Sequence, residues 1–290
     1  MFDKKNKYAV FTVDVEAFSD TVCVSNSGAQ FQEDMLDGLD EYMRILDKHG
    51  IKATMFSVCR TALAAKDRIL PHLANGHSLA LHSMDHVVPC RLSNEEFREE
   101  TALAKKLLAE AFGAEITGYR APCFGIDDDK LEILRELGFR YDSSRMDFPA
   151  VSKADIRMHK FEELRKGIFR SDGFFEFGLI RNRIFGQDFP ISGGGYVRMF
   201  NWSIIKSAIL DYIRKHDYYV FYLHPFELSR KKVPFVPNLR LRDKFYLNYG
   251  IRSFPRKVES IIRNLKRAGY EFVTFDELAD IMGQQVPSIT

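Results

Sequence analysis

Short runs of β-branched and aromatic residues alternate with helical periodicity along almost the whole chain, and this alternation limits the fold more than any other feature. Tyr8-Ala9-Val10-Phe11-Thr12-Val13 reads as a buried strand. Met35, Leu39, Met43 and Leu46 mark one face of a helix that stops at Gly50, and Ala53 to Val58 supplies the next strand. The unit then recurs. A helix before Gly76 leads to a strand over Ser78 to Leu81. Another, opened by Ser93 with Glu96 as a capping box and closed by Gly113, precedes a strand near Ile116 to Tyr119. A third, about Asp128 to Leu137, stops at Gly138 before Phe139-Arg140-Tyr141. Residues 143–200 are less regular and contain Phe174-Phe175-Glu176-Phe177 and a Gly193-Gly194-Gly195 loop. Regularity returns with a helix from about Asn201 to His216, a strand Tyr219 to Leu223, a long loop, a basic helix to Ala268, a strand Glu271 to Phe275 and a short last helix. The pattern predicts an α/β fold with a mostly parallel sheet. With no Ser/Gly/Pro-rich linker to divide it, residues 1–290 read as one domain.

With 46% hydrophobic residues in 290, the chain can bury a large core, which excludes a disordered segment or a disulfide mini-protein. Cys23, Cys59, Cys90 and Cys123 show no Cys-x-x-Cys spacing and fit a reducing compartment. The basic run Lys4-Lys5-Asn6-Lys7 and the apolar stretch behind it superficially copy a signal peptide, but Asp14 and Glu16 break the stretch, so it reads as a strand. No apolar run approaches the roughly 20 residues that span a bilayer, and a cytoplasmic location is expected. The formal charge of +2 predicts no nucleic-acid partner. That charge is a cancellation: residues 229–267 hold a basic cluster that includes Arg230, Lys231, Lys232, Arg240, Arg242 and Lys244, opposed only by Asp243 and Glu259. This segment reads either as a solvated face or as a membrane-proximal contact for a peripheral membrane surface or an anionic glycan.

In folds of this class chemistry gathers at the C-terminal ends of strands, and four such ends carry reactive groups. Asp14 and Glu16 end the first strand, His82 and His86 follow the third, Arg120 with Pro122 follows the fourth, and His224 with Glu227 follows the strand at 219–223. Carboxylates on alternate strand positions share a face. Imidazoles four apart reach one ion where the segment turns helically. Two nitrogens and a carboxylate oxygen, with a position left for water, make a catalytic transition-metal site rather than a structural one. Singly, each group has a plain alternative as a turn, cap or solvated loop residue; together, at successive strand ends, they argue for a site.

Those residues resemble the polysaccharide deacetylases with the NodB-homology fold, of carbohydrate esterase type. The matching motifs are Thr12-Val13-Asp14-Val15-Glu16, Gly76-His77 followed by His82-Ser83-Met84-Asp85-His86, Tyr119-Arg120-Ala121-Pro122-Cys123-Phe124-Gly125, and Leu223-His224-Pro225, in the family's order over about residues 8–280. Tyr141-Asp142-Ser143-Ser144, the triple glycine and His224 to Leu228 are most similar to a branch associated with bacterial exopolysaccharide loci. The resemblance implies a distorted (β/α) barrel with seven or eight mostly parallel strands, a divalent metal, most often Zn2+, and an acetylated glycan substrate. It implies Glu16, His82 and His86 as metal ligands, Asp14 as general base, Arg120 as partner of the base, His224 as general acid, and the backbone N–H of Cys123 as oxyanion donor. The implied reaction removes acetyl groups from N-acetylated sugars of a bacterial polysaccharide or its precursor. Alternatives are hydrolysis of another non-peptide C–N bond in a small amide, or a non-catalytic glycan-binding barrel.

Two departures stand out. The family's adjacent aspartates are here separated by Val15, which leaves open whether Asp14 or Glu16 binds metal. No Asp-x-x-x-Trp-type motif precedes Trp202, so no acid that orients the histidine is named. His49, His72, His77, His159 and His216 read as turn or surface residues, His77 with a structural hydrogen bond. Phe174, Phe175, Tyr196 and Phe200 read as core, with Gly193 to Tyr196 as a candidate substrate-facing loop.

Overall fold

The structure, a computed structural model, describes residues 6–29, 31, 34–146, 158, 160–184 and 186–284; His159 lies outside them. Among the described residues twelve strands form: β1 Lys7–Val15, β2 Ala53–Ser57, β3 Ser78–Leu81, β4 Gly118–Tyr119, β5 Tyr141–Asp142, β6 Glu162–Arg165, β7 Ile168–Ser171, β8 Phe174–Phe177, β9 Arg181–Ile184, β10 Gln187–Pro190, β11 Tyr218–Leu223 and β12 Tyr270–Phe272. All but β9 and β10 join one sheet in the order β11-β1-β2-β3-β4-β5-β8-β7-β6, with β12 also on β1. Strand β1 is central because it is apolar on both faces and long enough to be shared. β11 pairs along Tyr8 to Val13 on one side, while β12 at Lys7 to Ala9 and β2 at Phe11 to Val15 divide the other.

The pairings from β11 through β5 to β8 are parallel and the helices between strands flank them, so the chain is an α/β fold with a mostly parallel central sheet. The irregular middle departs from the alternation. There β8, β7 and β6 form an antiparallel meander, and β9 with β10 a separate hairpin. Asp172-Gly173, both at positive φ, make the tight turn between β7 and β8, a hairpin signal present in the sequence. Residues 179–193 carry the chain from the end of β8 back to β11: Ile180 N donates to Ser192 Oγ at 2.8 Å, Tyr222 N donates to Ser192 O at 2.8 Å, and Gly193 bridges Tyr222.

Local boundaries follow side-chain chemistry. The helix Asn94–Phe112 begins at the Ser93/Glu96 capping box and ends at Gly113 in the left-handed region. The strand expected over Glu271 to Phe275 stops at Phe272 instead. Thr274 and Glu277 form a second capping box, with Glu277 N donating to Thr274 Oγ1 and Thr274 N to Glu277 Oε2, so Phe275 opens the last helix, Phe275–Gln284. His77 does hold structure: its buried ring accepts from Ala53 N at 3.0 Å and lies 3.3 Å from Asp47. A smaller apolar cluster of Phe18, Val24, Met35, Phe226, Val236 and Leu247 fastens the loop after β1 and the segment 233–247 to the turn after β11. No helix among the described residues is long and apolar enough to cross a membrane.

Candidate metal and acid-base site

At the C-terminal end of β1, Thr12, Asp14 and Glu16 alternate toward the sheet interior, where β11 and β2 flank them. Arg120 enters the same interior just past β4 and is fully buried, a position tolerable only because its donors are used. It donates to Asp14 Oδ1 at 2.7 Å, Thr12 Oγ1 at 2.8 Å, Ser143 O at 3.0 Å and Ser143 Oγ at 2.9 Å, and its guanidinium lies over the Phe56 ring at 4.1 Å. Asp14 is thus fixed by the arginine. Glu16 points instead to the histidines: its Oε2 is 2.7 Å from His86 Nε2, and Thr21 Oγ1 donates to its Oε1 at 3.3 Å. The structure separates the two carboxylates by partner, as the sequence did not.

His82 Nδ1 lies 2.7 Å from Arg120 O, which holds the proton on Nδ1 and leaves the Nε2 lone pair for an ion. Glu16, His82 and His86 each offer one ligand atom, all within 4.8 Å of one another. Two imidazole nitrogens and one carboxylate are a donor set that fits a zinc-like divalent ion. The expected helical turn between the histidines is absent. Ser83 and His86 adopt φ of 65° and 60°, so a left-handed bend, rather than a helix face, returns the second ring to the first, with centroids 5.2 Å apart. Cys123 and Phe124, in the turn Pro122–Phe124, also have positive φ, of 54° and 58°. Four non-glycine residues held in this region at one end of the sheet mark it as a place where the fold maintains strained backbone.

His224 follows β11 and brings Nε2 to 4.0 Å from both Asp14 Oδ2 and Glu16 Oε1. Burial works against its charged form, but Glu16, Glu227 and Asp14 outweigh it and lift its pKa to about 9. Burial keeps His82 neutral, its pKa pushed down to about 4 despite Asp14. For Glu16, burial is outweighed by His86 and His224, and its pKa falls to about 2. The Cys123 thiol, raised to about 11 by burial and Glu16, is no nucleophile at neutral pH.

The acid that sequence reasoning did not name is Glu227. Fully buried, it accepts the backbone N–H of His224 at 3.1 Å, lies 3.5 Å from His224 Nδ1, and accepts from Arg198 Nε at 3.2 Å. Arg198, also fully buried, donates to Tyr249 O. The signal was the His-Pro-Phe-Glu spacing. Proline starts a short turn that folds the glutamate back on the histidine three residues earlier. The triple glycine serves this pair as well as the cleft. It opens the short helix Gly194–Met199, and a Cβ on Gly194 would meet Glu227 Oε2 at 2.7 Å. Tyr196 lines the cleft and Phe200 is exposed, so only Phe174 and Phe175 of the four aromatics are core.

Behind Arg120 lies a further carboxyl pair. Asp142 and Glu176 are adjacent across β5 and β8, wholly buried, and hold the Ser144-Arg145 backbone: Ser144 N donates to Asp142 Oδ2 at 2.8 Å and Arg145 N to Glu176 Oε1 at 2.9 Å. Burial and their mutual charge push Asp142 well above the carboxylate range, so the pair shares a proton.

Asp14, Glu16, His82, His86, Cys123 and His224 line one cleft of about 1270 Å³, which Leu241, Phe245 and Tyr246 also line, while Arg120, Glu227 and the Asp142/Glu176 pair lie behind its wall. Residues 30–141 match the polysaccharide deacetylase family model, and residues 143–280 match a domain of unknown function (DUF3473). The chain is 24% identical over 109 residues to a peptidoglycan deacetylase from Helicobacter pylori and 27% identical over 93 residues to chitin deacetylase 1 from Cryptococcus neoformans. These matches cover 38% and 32% of this chain but only 37% and 20% of the relatives. Among solved structures, one from Mycobacterium smegmatis described as a polysaccharide deacetylase superposes with a TM-score of 0.67 at 18% identity, covering 97% of this chain and 92% of that one. Puue allantoinase superposes with a TM-score of 0.63 at 14% identity, covering 97% and 91%. The stretch that matches the polysaccharide deacetylase model, residues 30–141, carries His82, His86 and Arg120, so over that part of the chain the similarity includes three of the residues gathered at the strand ends.

Proposed function

We propose that the protein is a metal-dependent hydrolase that removes acetyl groups from N-acetylated sugars of a bacterial polysaccharide or its precursor. The carrying observation is the convergence of Glu16, His82 and His86 between two further groups, Asp14 on Arg120 and His224 on Glu227. Zn2+ held by the three ligands would acidify a water molecule and polarise an acetyl carbonyl. Asp14, held 2.7 Å from Arg120, accepts the proton of the attacking water. The backbone N–H of Cys123, in its left-handed turn on the cleft wall, is assigned to the developing oxyanion. His224 then donates a proton to the departing amine, without which an amide leaves poorly. The cleft exceeds the roughly 300–1000 Å³ of small-molecule pockets, which favours a polymer segment over a small amide. Glu227 supplies the orienting acid whose absence motivates a non-catalytic barrel. We assign the protein to the cytoplasm, in keeping with four cysteines that form no disulfide, and the basic segment 229–267 to contact with an anionic glycan or a membrane surface.

The test is acetate release from chito-oligosaccharides by protein loaded with zinc. Activity should vanish on chelation and return with metal. Asp14→Asn should retain zinc yet lose at least about 10²-fold in kcat, whereas His82→Ala should lose zinc itself. Undiminished turnover in either variant refutes the assignment.

A further inference from the structure

We propose that the segment 231–249, which forms one lip of the cleft, docks on an anionic lipid bilayer and so presents the cleft mouth to the membrane surface. Large apolar side chains exposed singly are ordinary, but here Phe235 and Leu241 are 82% and 85% exposed, and Phe245 and Tyr249 lie about half-exposed beside them in sequence. They are held outward by a built support. Val236 and Leu247 are buried against Phe226 and Phe18, which fixes the segment beside the turn that carries His224.

The charge around these tips has one sign. Between Arg230 and Val258 the only acid is Asp243, already 3.3 Å from Arg242, while Lys232, Arg240 and Lys244 flank the apolar tips. Apolar tips interspersed along the segment with cations match a surface with anionic headgroups above acyl chains. They match a sugar platform less well. Phe245 and Tyr249 are stacked on each other with centroids 4.3 Å apart, which covers one face of each ring, and the most exposed side chain, Leu241, has no ring to stack. This inference narrows the contact proposed above for segment 229–267 to a bilayer, and vesicle binding reads it independently of turnover.

The experiment is co-sedimentation of the full chain with phosphatidylglycerol vesicles and, separately, phosphatidylcholine vesicles, with Phe235→Glu and Lys244→Glu as variants. Neither residue lines the cleft, so acetate release from an uncharged soluble oligosaccharide, which offers no anion to the basic segment, should be unchanged in both. The expected result is salt-sensitive binding to the anionic vesicles only, weakened on the order of tenfold by each variant. Equal binding to both vesicle types, or binding that neither variant alters, overturns the proposal. So does a concentration-dependent dimer dissolved by the same variants, which assigns the face to a second copy. Retention on dextran sulfate with no vesicle binding also overturns it, and assigns the face to a soluble polyanion. Failure of the deacetylase reading would instead appear as absent acetate release with vesicle binding intact.

Discussion

Replacing Glu227 by glutamine separates two roles that its geometry combines. His224 N and Arg198 Nε donate to different carboxylate oxygens, Oε2 and Oε1, so the amide keeps one of the two bonds, turns its NH2 toward the other donor, and removes the charge beside His224 Nδ1, 3.5 Å away. Two losses are expected. Arg198, fully buried, loses its counter-charge, and breaking such a pair costs about 3 kcal/mol in stability. His224 loses one of three carboxylates that hold its pKa up. A tenfold smaller protonated fraction at alkaline pH corresponds to about 1.4 kcal/mol, and loss of ring orientation adds a factor of about 10–100 in kcat. The assay is kcat and KM for acetate release across pH, beside chemical denaturation. The Glu227→Gln variant should show a lowered kcat, a little-changed KM and an alkaline limb moved to lower pH. The control is Arg198→Leu/Glu227→Leu, which removes the buried pair altogether and should recover much of the stability. If that double variant also recovers full activity, Glu227 serves only to neutralise Arg198, and the reasoning fails. It fails equally if Glu227→Gln keeps both the turnover and the pH profile of the parent.

In the metal-free protein, NMR titration of the imidazoles should find His224 near 9 and His82 near 4, and zinc should lower His224, because a cation beside Glu16 cancels that carboxylate's attraction. Since the folded pKa of His224 lies above its ordinary 6.5, its stabilising contribution is complete below that value and is lost as pH rises through about 9; a titration with both histidines at ordinary values refutes this. Asp142 is raised, so its contribution is present at low pH and lost as pH rises past its folded pKa. Asp142→Asn, a neutral isostere, should flatten the alkaline decline in melting temperature, and an unaltered pH profile would count against a shared proton. Gly194→Ala places a methyl against Glu227, Leu223 and Phe254, all within 2.9 Å, and should cost about 1–3 kcal/mol with a fall in kcat; denaturation with full kinetic parity would show that the glycine is dispensable.

Much of the architecture was legible because each strand and helix announces itself locally. The buried runs that became β1, β2, β3 and β11, and the Ser93/Glu96 box, need only short-range chemistry to be read. The meander and hairpin across residues 162–190 were not legible from sequence. Their strands are four residues each and pair with distant or antiparallel neighbours, and periodicity over so few residues is faint. The Asp172-Gly173 turn and the Thr274/Glu277 box were readable signals that a stronger apolar pattern masked.

The sequence by itself determined the chemical inventory at the strand ends: Asp14, Glu16, His82, His86, Arg120 and His224 stand there because strand periodicity and turn chemistry are local. Only the tertiary structure decided how that inventory is shared. Arg120, anchored on Ser143 from a neighbouring strand end, captures Asp14, while left-handed bends at Ser83 and His86 deliver a ring to Glu16. It also decided that Glu227 and Arg198, twenty-nine residues apart, become one buried pair behind His224. Such choices turn on distances of a few ångströms between segments remote in the chain, and on burial that forces every charge to find a partner.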